Sequence, residues 1–290
     1  MTIAQITDIL SAVYPASEAQ ELAYWLLEEL TGLSRSDISA GKGTKNISNI
    51  EIFLARLLKK EPIQYIFGHT LWFGLDLLVN SATLIPRPET SELVELVLKN
   101  LKPETCNLKP ISILDIGTGS GCIALKLKQR RPEWDVTGLD ISEAALDIAR
   151  QNAVRNHIDV RFIQGDILSN SEAVSRLTAQ RSDSESVYCI VSNPPYICDS
   201  EKAEMDTNVL DYEPHSALFV PDNDPLRFYR AITALHAPWL FFEVNRRFAS
   251  DVAQLMADNG YDAPVVEKDM FGNPRFVYGK LRTEYPQIQG

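Results

Sequence analysis

The sequence predicts an α/β protein: a doubly wound, mostly parallel seven-stranded sheet with a small helical domain and a hairpin linker before it. Two observations predict this. From residue 111 onward, short apolar runs alternate with amphipathic ones, the pattern of strands and covering helices. Before residue 63 the texture is helical and lacks such runs.

Taken in order, Ser17-x-x-Gln20 has the form of a capping box opening "EAQELAYWLLEEL", which Gly32 can end. Ser48-x-x-Glu51 repeats the form before "IEIFLARLLKK", which Pro62 stops. The polar, Gly/Ser-rich "SRSDISAGKGTKNIS" between them is expected to be a loop. Next, "QYIFGHTLWFGLDLLVN" is aromatic and branched, broken by Gly68 and Gly74, and predicts a hairpin. The alternating part runs through strands "ISILDIG", "WDVTGLD", "VRFIQGD", "VYCIVSN", "WLFFEVN", "APVVEKD" and "PRFVYGKL". Helices "GCIALKLKQR", "SEAALDIARQNAVRN", "DPLRFYRAITALH" and "RFASDVAQLMADNG" separate most of them. The expected division is a helical domain over 1–62, a linker over 63–84 and an α/β domain over 85–290.

Of the 290 residues 45% are hydrophobic and 23% charged, enough to bury a sizeable core. A net charge of −11 and a pI near 4.9 lower the expectation of a phosphate-gripping or membrane-surface protein. The N-terminus has no basic segment and carries Asp8 within its apolar stretch, unlike a secretory signal. No run approaches the roughly 18–20 apolar residues of a membrane span. Cys106, Cys122, Cys189 and Cys198 have unrelated spacings and are expected to be reduced thiols. His69, His157, His215 and His236 are scattered, so no metal site is expected, and the expected location is cytoplasmic.

Ligands of open α/β sheets bind beyond the carboxyl ends of the strands. The first strand ends "LDIGTGSGCIAL", with Asp115 ahead of Gly117, Gly119 and Gly121. Glycines at such a turn let backbone approach a ligand where a Cβ would clash. The spacing G-x-G-x-G is not the dinucleotide fingerprint G-x-G-x-x-G, which aims a helix at a pyrophosphate. A preceding acid with backbone N–H groups suits a phosphate-free ligand bearing an ammonium and a carboxylate, and S-adenosylmethionine is one. Alone, the turn is equally a tight βα connection. Asp140 closes the second strand, where a carboxylate can accept from ribose hydroxyls, or could instead cap the next helix, a role Ser142 fills well. Asp166 closes the third and could accept from an adenine amino group, with Ile167 against the ring.

The fourth strand ends Asn193-Pro194-Pro195-Tyr196. An amide or exocyclic amine has a delocalised lone pair and is a poor nucleophile. The Asn193 side-chain oxygen and the Pro194 carbonyl could accept its two N–H hydrogens and favour a pyramidal nitrogen aimed at a sulfonium methyl. The prolines would fix those acceptors and Tyr196 would pack on the planar group, which is catalysis by positioning and preorganised electrostatics. Alone, the tetrapeptide could equally be a stiff strand exit with Tyr196 in the core.

Together these residues resemble the class I S-adenosylmethionine-dependent methyltransferases, and more closely the bacterial peptide-chain release factor glutamine N5-methyltransferases of the HemK/PrmC family. The resemblance spans essentially the full chain. "EPIQYIFG" (61–68), "LIPRPETSELVELV" (84–97), "YEPHSALF" (212–219) and Asp269-x-x-Gly272-x-x-Arg275 carry it alongside "NPPY". It implies methylation of the glutamine of the release-factor Gly-Gly-Gln loop on its side-chain amide nitrogen, with S-adenosylhomocysteine as the other product. It implies that Asp115, Gly117, Thr118, Gly119, Ser120, Gly121, Asp140, Ile141, Asp166, Ile167 and Asn193 lie at the cofactor. Asn193, Pro194, Pro195 and Tyr196 would hold the glutamine, with Arg87 and Glu89 over the site. The N-terminal domain would recognise the body of the factor, and a monomer free of nucleic acid and membrane is expected.

Three departures stand out. Ser91 replaces an acid common in relatives, and Ile167 a residue that is aromatic in some. "ITALHAPWLFFEVN" lacks the Gly-Gly turn usual before the fifth strand, so a tighter connection near Ala237-Pro238 must place Glu243. The rival functions are an adenine-N6 methyltransferase acting on DNA or RNA, which shares the amine chemistry, and a non-catalytic nucleotide-binding protein on the same scaffold. The acidic charge and linker motifs disfavour the first; the complete set of strand-end residues disfavours the second.

Overall fold

The structure is a computed structural model that describes residues 1–42, 47–101, 111–169 and 187–282. Cys106, residues 43–46 of the first loop and all but Ser169 of the polar stretch 169–186 lie outside the described residues. Contacts divide the chain into two units, Met1–His69 with Asp206–Tyr212, and Thr70–Met205 with Glu213–Gly290.

The first unit contains α1 (Ile3–Leu10), α2 (Ala16–Thr31), α3 (Arg35–Ser39), α4 (Ile50–Leu57) and α5 (Ile63–Phe67). Their apolar faces share one core of Ile6, Leu10, Ala23, Leu26, Leu27, Ile50, Leu54 and Leu57. The helix ends differ from the expected ones. Neither serine box forms: α2 starts behind Pro15, whose fixed φ suits a helix start, and leaves Ser17 inside the first turn. Asn49 precedes α4 at φ 63 with no side-chain cap, so Ser48 stands outside the cap position. The true box is Thr2-x-x-Gln5 ahead of α1, where the Thr2 side chain and the Gln5 amide meet each other's backbone N–H. The expected loop over 34–48 contains α3, because Ser34 caps it and Ile38 is buried. Residues 63–67 are helical rather than extended: Pro62 starts that turn, Ile63 and Ile66 are buried three apart, and Gly68 at φ 77 ends it. The Tyr212 hydroxyl donates to the Lys59 carbonyl, tying α9 (Thr207–Tyr212) to this unit.

The hairpin is therefore shorter than expected, formed by β1 (His69–Trp72) and β2 (Leu75–Leu78). The free edge of β2 is satisfied from the helix α8 (Glu143–Arg155). Asn152 Oδ1 accepts from Leu78 N at 2.6 Å and its Nδ2 donates to Leu78 O at 3.0 Å. The Asn156 side chain does the same around Asp76. Buried backbone groups need partners, and two asparagines supply them.

The second unit is built on β3 (Ile111–Ile116), β4 (Asp135–Asp140), β5 (Arg161–Gln164), β6 (Val187–Ser192), β9 (Trp239–Glu243), β10 (Tyr261–Lys268) and β11 (Pro274–Leu281). β7 (Ile197–Cys198) and β8 (Phe219–Val220) form a separate small parallel pair. The main sheet has the order β10-β11-β9-β6-β3-β4-β5, with β10, β11 and β9 antiparallel neighbours and the rest parallel. Alternate residues feed two cores: Ile111, Ile113, Cys189, Val191 and Phe241 on one face, Leu114, Ile116, Ile190, Leu240 and Phe242 on the other. The chain order reverses between β3 and β6, the position where an open α/β sheet leaves a crevice.

The missing Gly-Gly turn is replaced by His236, which takes φ 50, the left-handed conformation glycine would adopt more easily. It follows α10 (Arg227–Thr233), and the buried Ala237 then leads directly into β9. β9 keeps full register with β6, Ser192 opposite Phe242, so Glu243 stands at the strand's carboxyl end.

Gly138 in β4 faces the tightest packing of the sheet. A Cβ there would lie 2.6 Å from the Phe162 ring and 2.8 Å from Thr118 Oγ1. Gly138→Ala is expected to cost about 2 kcal/mol of stability through this overpacking, measured as a lower urea midpoint; an unchanged midpoint would contradict it.

Candidate active site

The crevice opens into a cavity of about 400 Å³ at the carboxyl ends of β3, β4 and β6 and just beyond β5. Gly117–Ser120, Asp140, Ile141, Asp166, Ile167 and Asn193–Pro195 all line it, as does Arg87. Asp115 and Gly121 lie beneath this lining. Glu89 and Tyr196 are not part of it.

The glycine turn is held from two sides. Gly117 and Thr118 N–H groups both donate to Leu139 O, and Gly119 N donates to Asp140 Oδ2 at 2.8 Å. Gly117 and Gly119 adopt φ 73 and 54, and a Cβ on either would project into open space. Gly121 at φ 82 caps α7 (Cys122–Arg130), and a Cβ there would press on Ala149, Phe162 and Leu125. From the other side, Asn152 Nδ2 donates to Ser120 O.

Asp115 is fully buried under this turn. Its Oδ2 accepts from the Thr118 hydroxyl at 2.6 Å and from Ala124 N, an otherwise unpaired first-turn amide of α7. Its Oδ1 has no hydrogen-bond partner. Burial pushes the Asp115 carboxyl up to about 7, against the two bonds it accepts, and Asp140 adds repulsion. Asp140 Oδ1 accepts from Ser142 N, while Ser142 itself caps α8. Burial also raises the Asp140 carboxyl, opposed by the Ser142 and Gly119 amides. Asp166 accepts from the Ser169 hydroxyl and Leu168 N, bonds that hold its carboxyl below the usual range.

These features fit S-adenosylmethionine. Gly117 and Gly119 leave the turn side of the cavity free of side chains, and a ribose can meet the Asp140 carboxylate, whose lone pairs exceed its two bonds. Ile167 is buried at the wall and Ile141 is 59% exposed at the mouth, apolar surfaces on which a ring can lie. Among the described residues no cluster of His, Cys, Asp or Glu could hold a metal ion.

Beyond Asn193, the structure brings in residues that carried no assigned role in the sequence. Asn193 Nδ2 donates to Thr90 Oγ1 at 3.2 Å, and the Thr90 hydroxyl donates to Glu243 Oε2 at 2.8 Å. The Tyr196 hydroxyl donates to Glu243 Oε1 at 3.2 Å. Tyr196 thus turns inward: its ring packs on the second core, its hydroxyl is buried, and burial with the Glu243 charge raises it far above the ordinary phenol range. This is the core placement weighed against stacking on a substrate. Asn245 Nδ2 donates to the Tyr196 carbonyl, holding the backbone of the motif as well.

Arg87 is anchored by Glu213, a buried carboxylate of the "YEPHSALF" segment, at 2.6 Å. The second Glu213 oxygen accepts from Ile85 N, so this residue fixes "IPRPET" across the cavity mouth. Glu89 occupies the position before α6 (Thr90–Asn100), its helical backbone placing Thr90 inward. Three of the four cysteines, Cys122, Cys189 and Cys198, are buried.

Known proteins share both the sequence and the fold of this chain. Residues 2–68 match the PrmC N-terminal domain and residues 92–211 the methyltransferase small domain. The release factor glutamine methyltransferase of Flavobacterium psychrophilum is 40% identical over 96% of this chain and 97% of its own. That of Bacteroides thetaiotaomicron is 40% identical over 94% and 97%. Among solved structures, the hMettl16 catalytic domain in complex with MAT2A 3′UTR hairpin 6 shares the fold at TM-score 0.54 and 13% identity, covering 74% of this chain and 78% of that one. Fold and site together define a class I S-adenosylmethionine-dependent methyltransferase. Within that class, the chain belongs to the release factor glutamine methyltransferase family.

The buried carboxyl of Asp115 has a stability consequence. Its folded value lies above its unfolded one, so the stability linked to it is present below pH 4 and is lost as pH rises through about 7. Asp115→Asn is therefore expected to melt higher than the parent at pH 8, by on the order of 3 kcal/mol, with the gap shrinking toward pH 5. A gap independent of pH in thermal melts would contradict this.

Proposed function

We propose that this chain transfers the methyl group of S-adenosylmethionine to the side-chain amide nitrogen, N5, of the glutamine in the Gly-Gly-Gln loop of peptide-chain release factors. The observation that carries this reading is the placement of Asn193-Pro194-Pro195 on the wall of the same cavity as the glycine turn. Whole-length kinship to enzymes named for that substrate supports it, and supports it over an adenine-N6 activity.

When bound, S-adenosylmethionine supplies an electrophilic methyl on a sulfonium. Everything else is done by the chain. Asp115 Oδ1, with Gly117, Thr118, Gly119, Ser120 and Gly121, takes the amino-acid end. Asp140 and Ile141 take the ribose side, and Asp166 and Ile167 the adenine. Asn193 Oδ1 and the Pro194 carbonyl accept the two N–H hydrogens of the glutamine amide, withdrawing its lone pair from conjugation and pointing it at the methyl. Pro195 keeps this pair of acceptors from rotating, because a proline has a fixed φ. Tyr196 contributes from behind the motif, and Arg87 and Glu89 border the mouth. No strong base is needed, since the amide proton becomes acidic as the methyl adds.

We further infer that the helical domain of residues 1–62 recognises the body of the factor, with 63–84 linking it to the methyltransferase domain of 85–290. The same reading makes the chain a cytoplasmic monomer with no direct contact to nucleic acid. Among the described residues no helix is long and apolar enough to cross a membrane.

Labelled methyl transfer to a release factor is expected, abolished by Gln→Ala in its Gly-Gly-Gln loop. Transfer to DNA oligonucleotides but not to the factor would refute the reading. Asn193→Ala should keep cofactor affinity within a few-fold while lowering turnover by about 100-fold or more, since an acceptor in the transition state is removed. Equal loss of cofactor binding would make Asn193 a cofactor residue only.

A further inference from the structure

Glu243 ends β9 with its side chain 1% exposed, directly behind the Asn193–Tyr196 motif. Nothing in its geometry touches the cavity, since it is not among the lining residues. Yet it accepts from two hydroxyls, Thr90 at 2.8 Å and Tyr196 at 3.2 Å, and Thr90 in turn accepts from Asn193. The Tyr229 hydroxyl donates to the Glu243 carbonyl, fixing the strand end from which the carboxylate projects.

We propose that Glu243 is a positioning residue for methyl transfer: acting through the Thr90 hydroxyl, it determines which end of the Asn193 side chain faces the cavity. Proton counting fixes the orientation. A threonine hydroxyl has one hydrogen and two lone pairs, and an ionised carboxylate has only acceptors. Thr90 must spend its hydrogen on Glu243, so toward Asn193 it can only accept. Asn193 therefore presents Nδ2 to Thr90 and is left with Oδ1 for the cavity, the orientation needed to accept an N–H. The reversed amide would set Oδ1 against Thr90 with no hydrogen between them, an unsatisfied buried pair. Through its other oxygen the same carboxylate holds Tyr196, so one buried group steadies both ends of the tetrapeptide.

The polarity of this relay depends on charge. Protonated Glu243 could itself donate to Thr90, freeing the threonine hydrogen for Asn193 Oδ1 and reversing the amide. Burial pushes the Glu243 carboxyl up to about 7; the bond from Thr90, the Arg275 charge and the bond from Tyr196 oppose this, while Glu89 adds repulsion. Tyr229 and Cys122 are the other titratable groups facing it. The competent form is the ionised one, so turnover should fall as pH drops below about 7.

This inference rests on the proposed role of Asn193 Oδ1, and its test separates the two. Glu243→Gln keeps the volume and Thr90→Val the shape of the replaced side chain, while Thr90→Ser restores the hydroxyl. With a release factor as substrate, Glu243→Gln and Thr90→Val should each lower kcat by about 100-fold with cofactor affinity unchanged, and the double variant should be no slower than the slower single. Thr90→Ser should recover most of the rate, and Glu243→Gln should lose the acidic limb of the pH profile. Full activity in Thr90→Val, additive losses in the double variant, or a parallel loss of cofactor affinity would each overturn the proposal. If the parent chain methylates no release factor, the functional reading fails. The relay is then read directly from nitrogen-15 NMR of the Asn193 side-chain amide. A protected amide in the parent and Thr90→Ser, exposed in Thr90→Val and Glu243→Gln, supports the relay; an amide indifferent to all three overturns it.

Discussion

Parallel pairing of β3, β4, β5 and β6 is the constraint on which this molecule depends. Strands that run the same way end at the same edge, and their last residues meet whatever lies beyond. With both faces of the sheet covered by separate cores, that edge is the place where backbone and acids remain open to a ligand. Asp115, Asp140, Asp166 and Asn193 belong to four successive strand ends of that edge, each a few residues of chain from a covering helix or turn.

The chain handles its buried acids in three ways. Glu213 has a cation, Arg87, and serves to fix a segment of backbone. Glu243 has hydroxyls, which transmit its charge into the orientation of neighbouring groups. Asp115 has one satisfied oxygen and one orphan. Only the last arrangement leaves a buried carboxylate oxygen without a hydrogen-bond partner. Unsatisfied buried polar atoms are costly.

Much of this could be read along the chain. The seven strands, the glycine turn and the acidic strand ends were legible because each is a local pattern: short apolar runs, closely spaced glycines after a strand, a carboxylate at a strand's end or just beyond it. The failures were also local in kind. Ser17 and Ser48 had the spacing of caps, but Pro15 and Asn49 took the helix starts, a competition that spacing cannot resolve. Residues 63–67 had strand-forming side chains, yet the proline before them and glycine after them made one helical turn. Asn152, Glu213, Thr90 and Glu243 had no role that local spacing could show, although Thr90 and Glu213 lie within "LIPRPETSELVELV" and "YEPHSALF". Their partners lie at Leu78, Arg87, Asn193 and Tyr196, and only the folded sheet makes them neighbours. His236 shows the reverse: the lost Gly-Gly turn left the register of β9 intact because one residue in a left-handed conformation completes the same connection.

The two halves of the site differ in how far apart their parts lie along the chain. The cradle around the glycine turn joins residues 3 and 21 positions apart, Asp115 to Thr118 and Gly119 to Asp140. The clamp joins residues 103 and 153 apart, Thr90 to Asn193 and Thr90 to Glu243. Closing a long loop costs more chain entropy than closing a short one, though only logarithmically. The entropic burden of assembling this fold therefore falls on the contacts around Asn193 more than on those around the glycine turn. Contacts of high sequence separation are also the slow ones to form: the bonds from Thr118 to Asp115 and from Gly119 to Asp140 need only β3 and β4 beside each other, while those of Thr90 with Asn193 and Glu243 need β6 and β9 as well.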